Sequence, residues 1–359
     1  MRAVICRELG PPSLLTVEER ENPSPGPGQV LVAVEAAGVN FVDGLFIAGQ
    51  YQIKPPLPFT PGNEVAGRVA ALGAGVEGFG VGQRVMVTTG LGGFASHVVV
   101  TAHSLSPVPD GLDAPRAATF NQSFSTCLFA LRDRARAQPG ESVLVLGAGG
   151  GIGLAAIGVA RALGCRVLGV ASSEEKRAAA LAAGAEDALD PDTASIKEAA
   201  RQWAGGTGVD IVVDPIGGPG AEQSLRALGD AGRYLVIGFA SGIIPALPLN
   251  QVLLRNRTVL GIDWGMWALQ HGREQMALWP TFSPWSPPSA CGRRRPPPIR
   301  STWWRWHSKT SWPAASSARW HSSRRTMPSA PVRRQDRNLG MTSVPMSSIV
   351  CMTLSWEML

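Results

Sequence analysis

Five glycines between residues 147 and 153 could hold a phosphate group through the backbone. The run reads Gly147-Ala148-Gly149-Gly150-Gly151-Ile152-Gly153. Glycine allows a tight turn and lets the backbone come close to a ligand. Where such a turn opens a helix, unpaired amides and the helix dipole favour an anionic diphosphate. The candidate binding residues are therefore Gly147, Gly149, Gly150, Gly151, Ile152 and Gly153.

The elements on both sides of this run decide how specific it is. Glycine-rich turns are common, and the pattern becomes specific only between the strand and the helix of a βαβ unit. Here an apolar strand is expected at 142–146 and an alanine-rich helix at 154–163. Further strands alternate with helical stretches, which predicts a doubly wound parallel sheet. These strands are expected at 166–170, 209–214, 233–237 and 258–262.

The end of the second strand indicates which dinucleotide would bind. Units that bind NAD usually carry Asp or Glu about 20 residues after the glycines, where it holds the ribose 2′-hydroxyl. Here the strand ends in Ala171-Ser172-Ser173, and Lys176 follows in the first turn of the next helix. Hydroxyls and a cation suit a 2′-phosphate, so Ser172, Ser173 and Lys176 are candidate residues for NADPH. Ser172 and Glu175 also have the spacing of a capping box, and Lys176 could instead be an ordinary exposed lysine.

The first 120 residues have a different texture. Short strands, cut by Gly and Pro turns, are expected at 30–34, 64–71, 84–88 and 97–100. Many short strands with punctuating glycines predict a small, mostly antiparallel, barrel-like domain. The whole pattern therefore predicts an α/β protein with a mostly-β domain before the parallel sheet.

Composition narrows the class of protein. The chain has 359 residues and a net charge of +6, but residues 281–359 hold 12 of the 33 Lys and Arg and 2 of the 27 Asp and Glu. The five cysteines form no CxxC pair, which argues against a disulfide framework or a structural zinc lobe. The chain shows no signal peptide and no apolar run of about 18 residues. We expect a cytoplasmic protein with no membrane or nucleic-acid partner.

Several motifs together resemble the medium-chain dehydrogenase/reductase superfamily, and within it the zinc-free NADPH:quinone oxidoreductase branch. They occur in order along residues 1 to about 278. The matching runs are 36–43, 49–51, 58–67, 81–85, 92–95, 214–218, 232–234 and 249–265. The resemblance implies a GroES-like catalytic domain at 1–124, a Rossmann domain at 125–265 and the start of a return segment at 266–280. It places the active site in the cleft between the two domains.

The resemblance also assigns roles to individual residues. It implies that Asn40 and Tyr51 line the substrate cleft, where either could hydrogen-bond the substrate oxygen. It also implies that Thr126, Gly238 and Phe239 bind the cofactor. A turn-stabilising role for Asn40 and a packing role for Tyr51 remain open alternatives.

The same comparison argues against a metal. Zinc-dependent relatives have Cys at the position of Asn40 and His at the position of Asn63, and catalytic zinc needs three protein ligands. Without a metal, we expect hydride transfer from NADPH to an acceptor that needs little activation, namely a quinone or an α,β-unsaturated carbonyl. An enoyl-thioester or alkenal reductase on the same scaffold is the alternative. The strand at 258–262 resembles one through which relatives pair, which leaves a homodimer open.

The last 79 residues lose every periodicity. Residues 281–359 contain seven of the eleven Trp, with Arg/Pro and Trp/Arg clusters. Back-translation of 303–322 in the neighbouring reading frame can encode an amphipathic helix followed by a strand. We therefore interpret 281–359 as a frameshifted, poorly ordered tail whose loss of native packing leaves a strand edge unpaired and activity reduced. A catalytically impaired cofactor-binding product and an Arg/Trp tail that binds nucleic acid are the remaining alternatives.

Overall fold

The computed structural model describes residues 1–271, residue 274 and residues 352–355. The remainder of the expected return segment and tail lies outside these residues. Seven strands lie within residues 2–107: β1 (Arg2–Ile5), β2 (Thr16–Glu19), β3 (Gln29–Val39), β4 (Glu64–Leu72), β5 (Arg84–Thr88), β6 (His97–Thr101) and β7 (Leu105–Pro107). All their pairings are antiparallel, with β3 between β4 and β6 and β5 between β4 and β7. β1 and β2 form a separate antiparallel pair, and together these strands confirm the expected mostly-β unit.

Six strands then form a parallel sheet. They are β8 (Ser142–Leu146), β9 (Arg166–Val170), β10 (Asp187–Leu189), β11 (Val209–Asp214), β12 (Leu228–Val236) and β13 (Thr258–Gly261). Their order across the sheet is β10-β9-β8-β11-β12-β13, so the chain runs outward in opposite directions from β8. The crevice at the carboxyl ends of β8 and β11 is the place where such sheets bind ligands. The predicted doubly wound sheet is confirmed.

Helices cover both faces of this sheet. Three helices precede β8: α1 (Phe41–Ile47), α2 (Ala114–Ala117) and α3 (Asn121–Leu128). The helices after β8 are α4 (Gly151–Ala162), α5 (Glu174–Ala182), α6 (Ile196–Trp203), α7 (Gly220–Ala227), α8 (Leu249–Leu253) and α9 (Trp264–Gln270). In β8, Val143 and Val145 join one apolar cluster, while Leu144 and Leu146 join another. Successive side chains point to opposite faces, and both faces are buried, as in parallel sheets generally. This burial on both faces explains why residues 143–146 of β8 are all apolar.

β3 extends five residues beyond the expected strand and ends next to Asn40. Its last part contains Ala36, Ala37 and Gly38, which have low strand propensity. A side chain on Gly38 would collide with the carbonyl oxygen of Ala118, just after α2. Small residues are therefore required by the close approach of α2, a tertiary contact that local propensity does not report.

The tail departs from our expectation at four residues. Met352–Ser355 form a last strand, β14, which pairs antiparallel with residues 36–39 of β3. The edge that we expected to remain unpaired is therefore paired there. Within the described part of the chain, no helix is both long enough and apolar enough to cross a bilayer.

Candidate functional site

The glycine loop turns directly from β8 into α4. Gly147 has a φ of 59°, in the left-handed region that favours glycine, and a Cβ there would lie 2.5 Å from Ile216 Cδ1. A Cβ on Gly153 would collide with the carbonyl oxygen of Gly147. Gly153 must be glycine because a backbone oxygen cannot move out of the way as a flexible side chain can, and the positive φ favours glycine at Gly147.

Unpaired amides lie at the start of α4. Gly150 is the N-cap residue, and its N–H donates to the Gly147 oxygen at 2.9 Å. The first helical bond is made by the N–H of Leu154 to the oxygen of Gly150, at 2.8 Å. The preceding amides have no acceptor within the helix, because the first turn of any helix lacks one. They are those of Gly151, Ile152 and Gly153, and the helix dipole makes this end attractive to an anion.

Lys176 packs against the glycine loop. A Cβ on Gly149 would collide with Lys176 Cβ and lie 2.8 Å from its Cα. Gly149 therefore lets α5 approach the loop so closely that the stem of Lys176 lies against it. The next residue, Arg177, is already engaged by Asp190 at 2.9 Å and by the Ala171 oxygen at 3.0 Å.

The cap of α5 differs from our expectation by one residue. Ser173, not Ser172, is the N-cap, and its hydroxyl accepts the N–H of Lys176 at 3.3 Å. The predicted capping box of Ser172 and Glu175 is therefore wrong. Ser172 is exposed and lies directly before this N-cap.

Asp214 shapes the turn at the carboxyl end of β11. Its Oδ1 accepts the N–H groups of Ile216 and Gly217, both at 2.8 Å. Its Oδ2 accepts the hydroxyl of Tyr234 at 2.5 Å. Burial, together with the Asp214 charge, raises the pKa of Tyr234, so the phenol stays protonated as a donor. The result is a rigid turn that faces the glycine loop.

Gly238 and Phe239 join the same turn from β12. The N–H of Gly238 donates to the backbone carbonyl oxygen of Asp214 at 3.4 Å. A Cβ on Gly217 would lie 2.9 Å from Phe239 Cδ1. The residues after β8, β11 and β12 therefore form one continuous rim at the carboxyl edge of the sheet.

Thr126 lies on α3, which packs against the start of α4. The thiol of its neighbour Cys127 donates to the Ile152 oxygen at 3.4 Å, so α3 is tied to the first turn of α4. Thr126 itself is buried. Burial raises the pKa of the Cys127 thiol, which makes it an inert packing group.

Asn40 both caps a helix and belongs to a buried polar chain. It is the N-cap of α1, and its N–H donates to Asp43 Oδ2 at 2.7 Å. Its side-chain Nδ2 donates to Glu64 Oε1 at 3.1 Å. The other carboxyl oxygen, Glu64 Oε2, accepts the N–H of Gln122 at 2.9 Å. Gln122 lies one helical turn before Thr126, so this chain of hydrogen bonds connects Asn40 to α3.

Two carboxyl groups of this network are almost completely buried. Burial raises the pKa of Glu64 from 4.5 to about 8, although the bonds from Gln122 and Asn40 oppose the shift. Burial also raises the pKa of Asp43, from 3.8 to about 7. Near neutral pH the pair therefore holds protons that exposed carboxyl groups would release. Asn63 donates to the Gln122 side-chain oxygen and closes the network.

Tyr51 reaches the parallel-sheet side of the molecule. Its ring lies 4.6 Å from that of Phe46, and its hydroxyl lies 4.0 Å from the position a Cβ on Gly265 would take. Gly265 is in α9, directly after β13. Burial and the Asp263 charge raise the pKa of Tyr51, which keeps its hydroxyl protonated. Tyr51 therefore packs against Phe46 and also lies at the boundary of the two sheets.

Two family models match this chain. One, described as an alcohol dehydrogenase GroES-like domain, matches residues 26–110, and the other, a zinc-binding dehydrogenase model, matches 151–279. The rat quinone oxidoreductase-like protein 2 is 39% identical over 270 residues, which are 75% of this chain and 77% of the relative. The chain belongs to the medium-chain dehydrogenase/reductase superfamily, among its quinone oxidoreductase-like members. It is therefore an oxidoreductase.

Two solved structures of this superfamily extend the comparison. The Thermus thermophilus quinone oxidoreductase, determined also with NADPH, has 38% identity and a TM-score of 0.66, with 77% of this chain and 86% of that one covered. The Escherichia coli quinone oxidoreductase in complex with NADPH has 27% identity and a TM-score of 0.70, with 77% and 85% covered. The resemblance inferred from the motifs is confirmed at the level of family and fold.

Sequence reasoning did not assign roles to the polar groups that support this superfamily site. Asp43, Glu64 and Asp214 lie inside the matching runs, but their partners are distant in sequence, such as Gln122 for Glu64. One signal was available. A charged residue that leads directly into an apolar strand, as in Glu64-Val65-Ala66, is rarely buried unless it is hydrogen-bonded.

Proposed function

We propose that the chain is an NADPH-dependent reductase that passes a hydride to a quinone or an α,β-unsaturated carbonyl compound without a metal. The observation that carries the cofactor choice is the packing of Lys176 against Gly149, beside a β9 end with no carboxylate. Both NADPH-bound structures named above have the same fold, which supports the same choice.

The described residues fit this cofactor. The amides of Gly151, Ile152 and Gly153 would bind the diphosphate, because glycine leaves room for it and the helix dipole favours its charge. Lys176 and the Ser172 hydroxyl would bind the 2′-phosphate. Thr126 and the rim of Gly147, Gly217, Gly238 and Phe239 would border the nicotinamide. NADPH supplies the hydride.

Two side chains are suited to hold the acceptor. Tyr51 keeps its hydroxyl proton and can donate it in a hydrogen bond to the acceptor oxygen, where negative charge develops. Asn40 Nδ2 donates one hydrogen to Glu64 Oε1, and its second hydrogen can donate to the acceptor oxygen. Holding the acceptor and the nicotinamide in contact can remove about 7–11 kcal/mol of the barrier.

The donors at the zinc positions of the relatives favour a metal-independent reaction. Asn40 and Asn63 present amides, which are poor zinc ligands beside Cys and His. Both amides are engaged in hydrogen bonds, to Glu64 and to Gln122 respectively. Among the residues that the structure describes, no three His, Cys, Asp or Glu side chains are grouped to hold a metal.

The test is NADPH oxidation by the full chain with a panel of acceptors, after treatment with a chelator. We expect turnover with quinones or enones and the same rate with and without the chelator. Preference for enoyl thioesters or alkenals would select the alternative acceptor class. NADPH binding without turnover of any acceptor would identify an impaired, cofactor-binding product, and loss of turnover on chelation would overturn metal independence.

We also propose that two copies pair through β13. Within the described residues this strand lies at the edge of the parallel sheet, bonded to β12 alone. Val259 on β13 is exposed, as are Leu253 and Leu254 just before it. An apolar, unpaired edge of this kind favours association with a second edge.

A further inference from the structure

An ion pair between Arg177 and Asp190 joins the carboxyl ends of β9 and β10. Arg177 is the fourth residue of α5, and its Nη1 lies 2.9 Å from Asp190 Oδ2. The same nitrogen donates to the carbonyl oxygen of Ala171 at 3.0 Å. Ala171 directly follows β9 and Asp190 directly follows β10, next to β8 in the order β10-β9-β8. The ion pair therefore lies at the edge of the parallel sheet that carries the glycine loop.

The same edge carries the residues that we assign to the 2′-phosphate. Ser172 follows Ala171, and Lys176 precedes Arg177 on α5. The Cα atoms of Ser172 and Ala171 are about 3.8 Å apart, well within the screening length of about 8 Å at 0.15 M salt. The side chains of Arg177 and Asp190 are 22% and 24% exposed, so neither charge is shut away from this edge. A phosphate bound there would therefore interact with both charges.

Asp190 is held in place against Arg177. Its Oδ1 accepts the N–H of Asp192 at 3.0 Å, while its Oδ2 lies against the guanidinium of Arg177. The turn after β10 thus fixes the carboxylate beside the cation. A phosphate nearby is attracted by Arg177 and repelled by Asp190, so the pair as a whole adds little net attraction.

We propose that the net charge of the Arg177–Asp190 pair sets the preference for NADPH over NADH, and that Asp190 is the residue that weakens NADPH binding. This inference rests on the proposed function, in which Ser172 and Lys176 bind the 2′-phosphate. The oxidised cofactor carries the same phosphate, so Asp190 weakens its binding as well. The carboxylate therefore favours release of the oxidised cofactor after hydride transfer.

Three variants change the charge of the pair in steps of one. Asp190→Asn leaves a net charge of +1, Arg177→Gln leaves −1, and the double variant returns to zero. Asparagine keeps an oxygen that can accept the N–H of Asp192, so the turn after β10 is preserved. In calorimetric titration we expect the Kd for NADPH to fall about fivefold in Asp190→Asn and to rise about fivefold in Arg177→Gln. The double variant should lie within about twofold of the wild type.

Two controls separate this charge effect from a structural one. NADH lacks the 2′-phosphate, so its Kd should stay within about twofold in all three variants. Glu186→Gln is the matched control, because Glu186 pairs with Arg166 at 3.0 Å at the amino ends of β9 and β10. That end lies about 15 Å from the carboxyl ends, beyond the screening length. Glu186→Gln should therefore leave both affinities unchanged.

The outcomes distinguish this inference from the proposed function. Higher ionic strength should reduce the differences in NADPH affinity among the variants. Equal shifts for NADPH and NADH, or a double variant no closer to the wild type than the single variants, would overturn the proposal. If Lys176→Ala weakens NADPH binding while the pair variants leave it unchanged, the cofactor site stands and this inference fails. If the wild type binds both cofactors equally and Lys176→Ala alters neither, the choice of NADPH fails, and this inference fails with it.

Discussion

Replacement of Lys176 by alanine tests the assignment of the cofactor. Lys176 packs against Gly149, and no carboxylate ends β9 beside it, so its ammonium group is the charge that would meet a 2′-phosphate. Hydrogen bonds to charged groups contribute about 1.5–3 kcal/mol, and Lys176 is partly exposed, which favours the lower end. A loss of about 1.5–2 kcal/mol corresponds to a Kd for NADPH that is roughly 10–30-fold higher.

The assay is calorimetric titration of wild type and Lys176→Ala with NADPH and, separately, with NADH. NADH has no 2′-phosphate, so its Kd should stay within about twofold. Lys197→Ala removes a lysine that pairs with Glu198 on α6 and serves as the matched control, with both affinities unchanged. Equal weakening of NADPH and NADH binding by Lys176→Ala would refute the reasoning, because the lysine would then act on a part that both share.

Four further predictions concern other parts of the molecule. Tyr51→Phe should lower kcat/KM for the acceptor by about tenfold while the Kd for NADPH stays constant, as measured by steady-state kinetics and calorimetry; a weakened NADPH affinity would contradict the acceptor role. Because the folded-state pKa of Glu64 is raised from 4.5 to about 8, the contribution of Glu64 to stability is fully present below about pH 4.5 and is lost as the pH rises to about 8; the loss of stability between these pH values in urea unfolding should be smaller in Glu64→Gln by an amount on the order of 5 kcal/mol, and the remaining dependence should reflect Asp43, whereas parallel pH dependence in both proteins would count against burial of the carboxylate. Val259→Arg should convert a dimer into a monomer in light scattering, whereas an unchanged mass would remove β13 from the interface. Deletion of residues 352–359 should lower the Tm by several degrees, because residues 36–39 lose their β-strand partner; an unchanged Tm would show that the pairing adds no stability, and restoration of the neighbouring reading frame should raise both Tm and activity.

The parts of the site that are local in sequence could be predicted from the sequence. The glycine loop, the strand before it and the helix after it lie within about 20 residues, and the strand boundaries at 142–146 and 166–170 match those of β8 and β9. Turn chemistry and apolar periodicity act over such distances. The sequence also predicted that Lys176 lies in the first turn of the next helix, but it did not predict the contact of Lys176 with Gly149.

The parts that depend on distant contacts could not be predicted in this way. Glu64 meets Gln122 across 58 positions, and Tyr234 meets Asp214 across 20. The helix cap was displaced by one residue because Ser172 and Ser173 have equal capping propensity, and only the path of the chain selects between them. β14 was missed because Met352-Thr353-Leu354-Ser355 alternates apolar and polar residues over only four positions, and so short a segment forms a strand only when an edge is available.

The central claim is that the amides after Gly150 bind the diphosphate of a nicotinamide dinucleotide. Calorimetric titration of the folded chain with NADPH measures this directly. We predict a saturable heat for the wild type and none for Gly153→Val, whose side chain would occupy the space against the Gly147 oxygen. No heat from the wild type with either reduced or oxidised nicotinamide dinucleotides would contradict the claim.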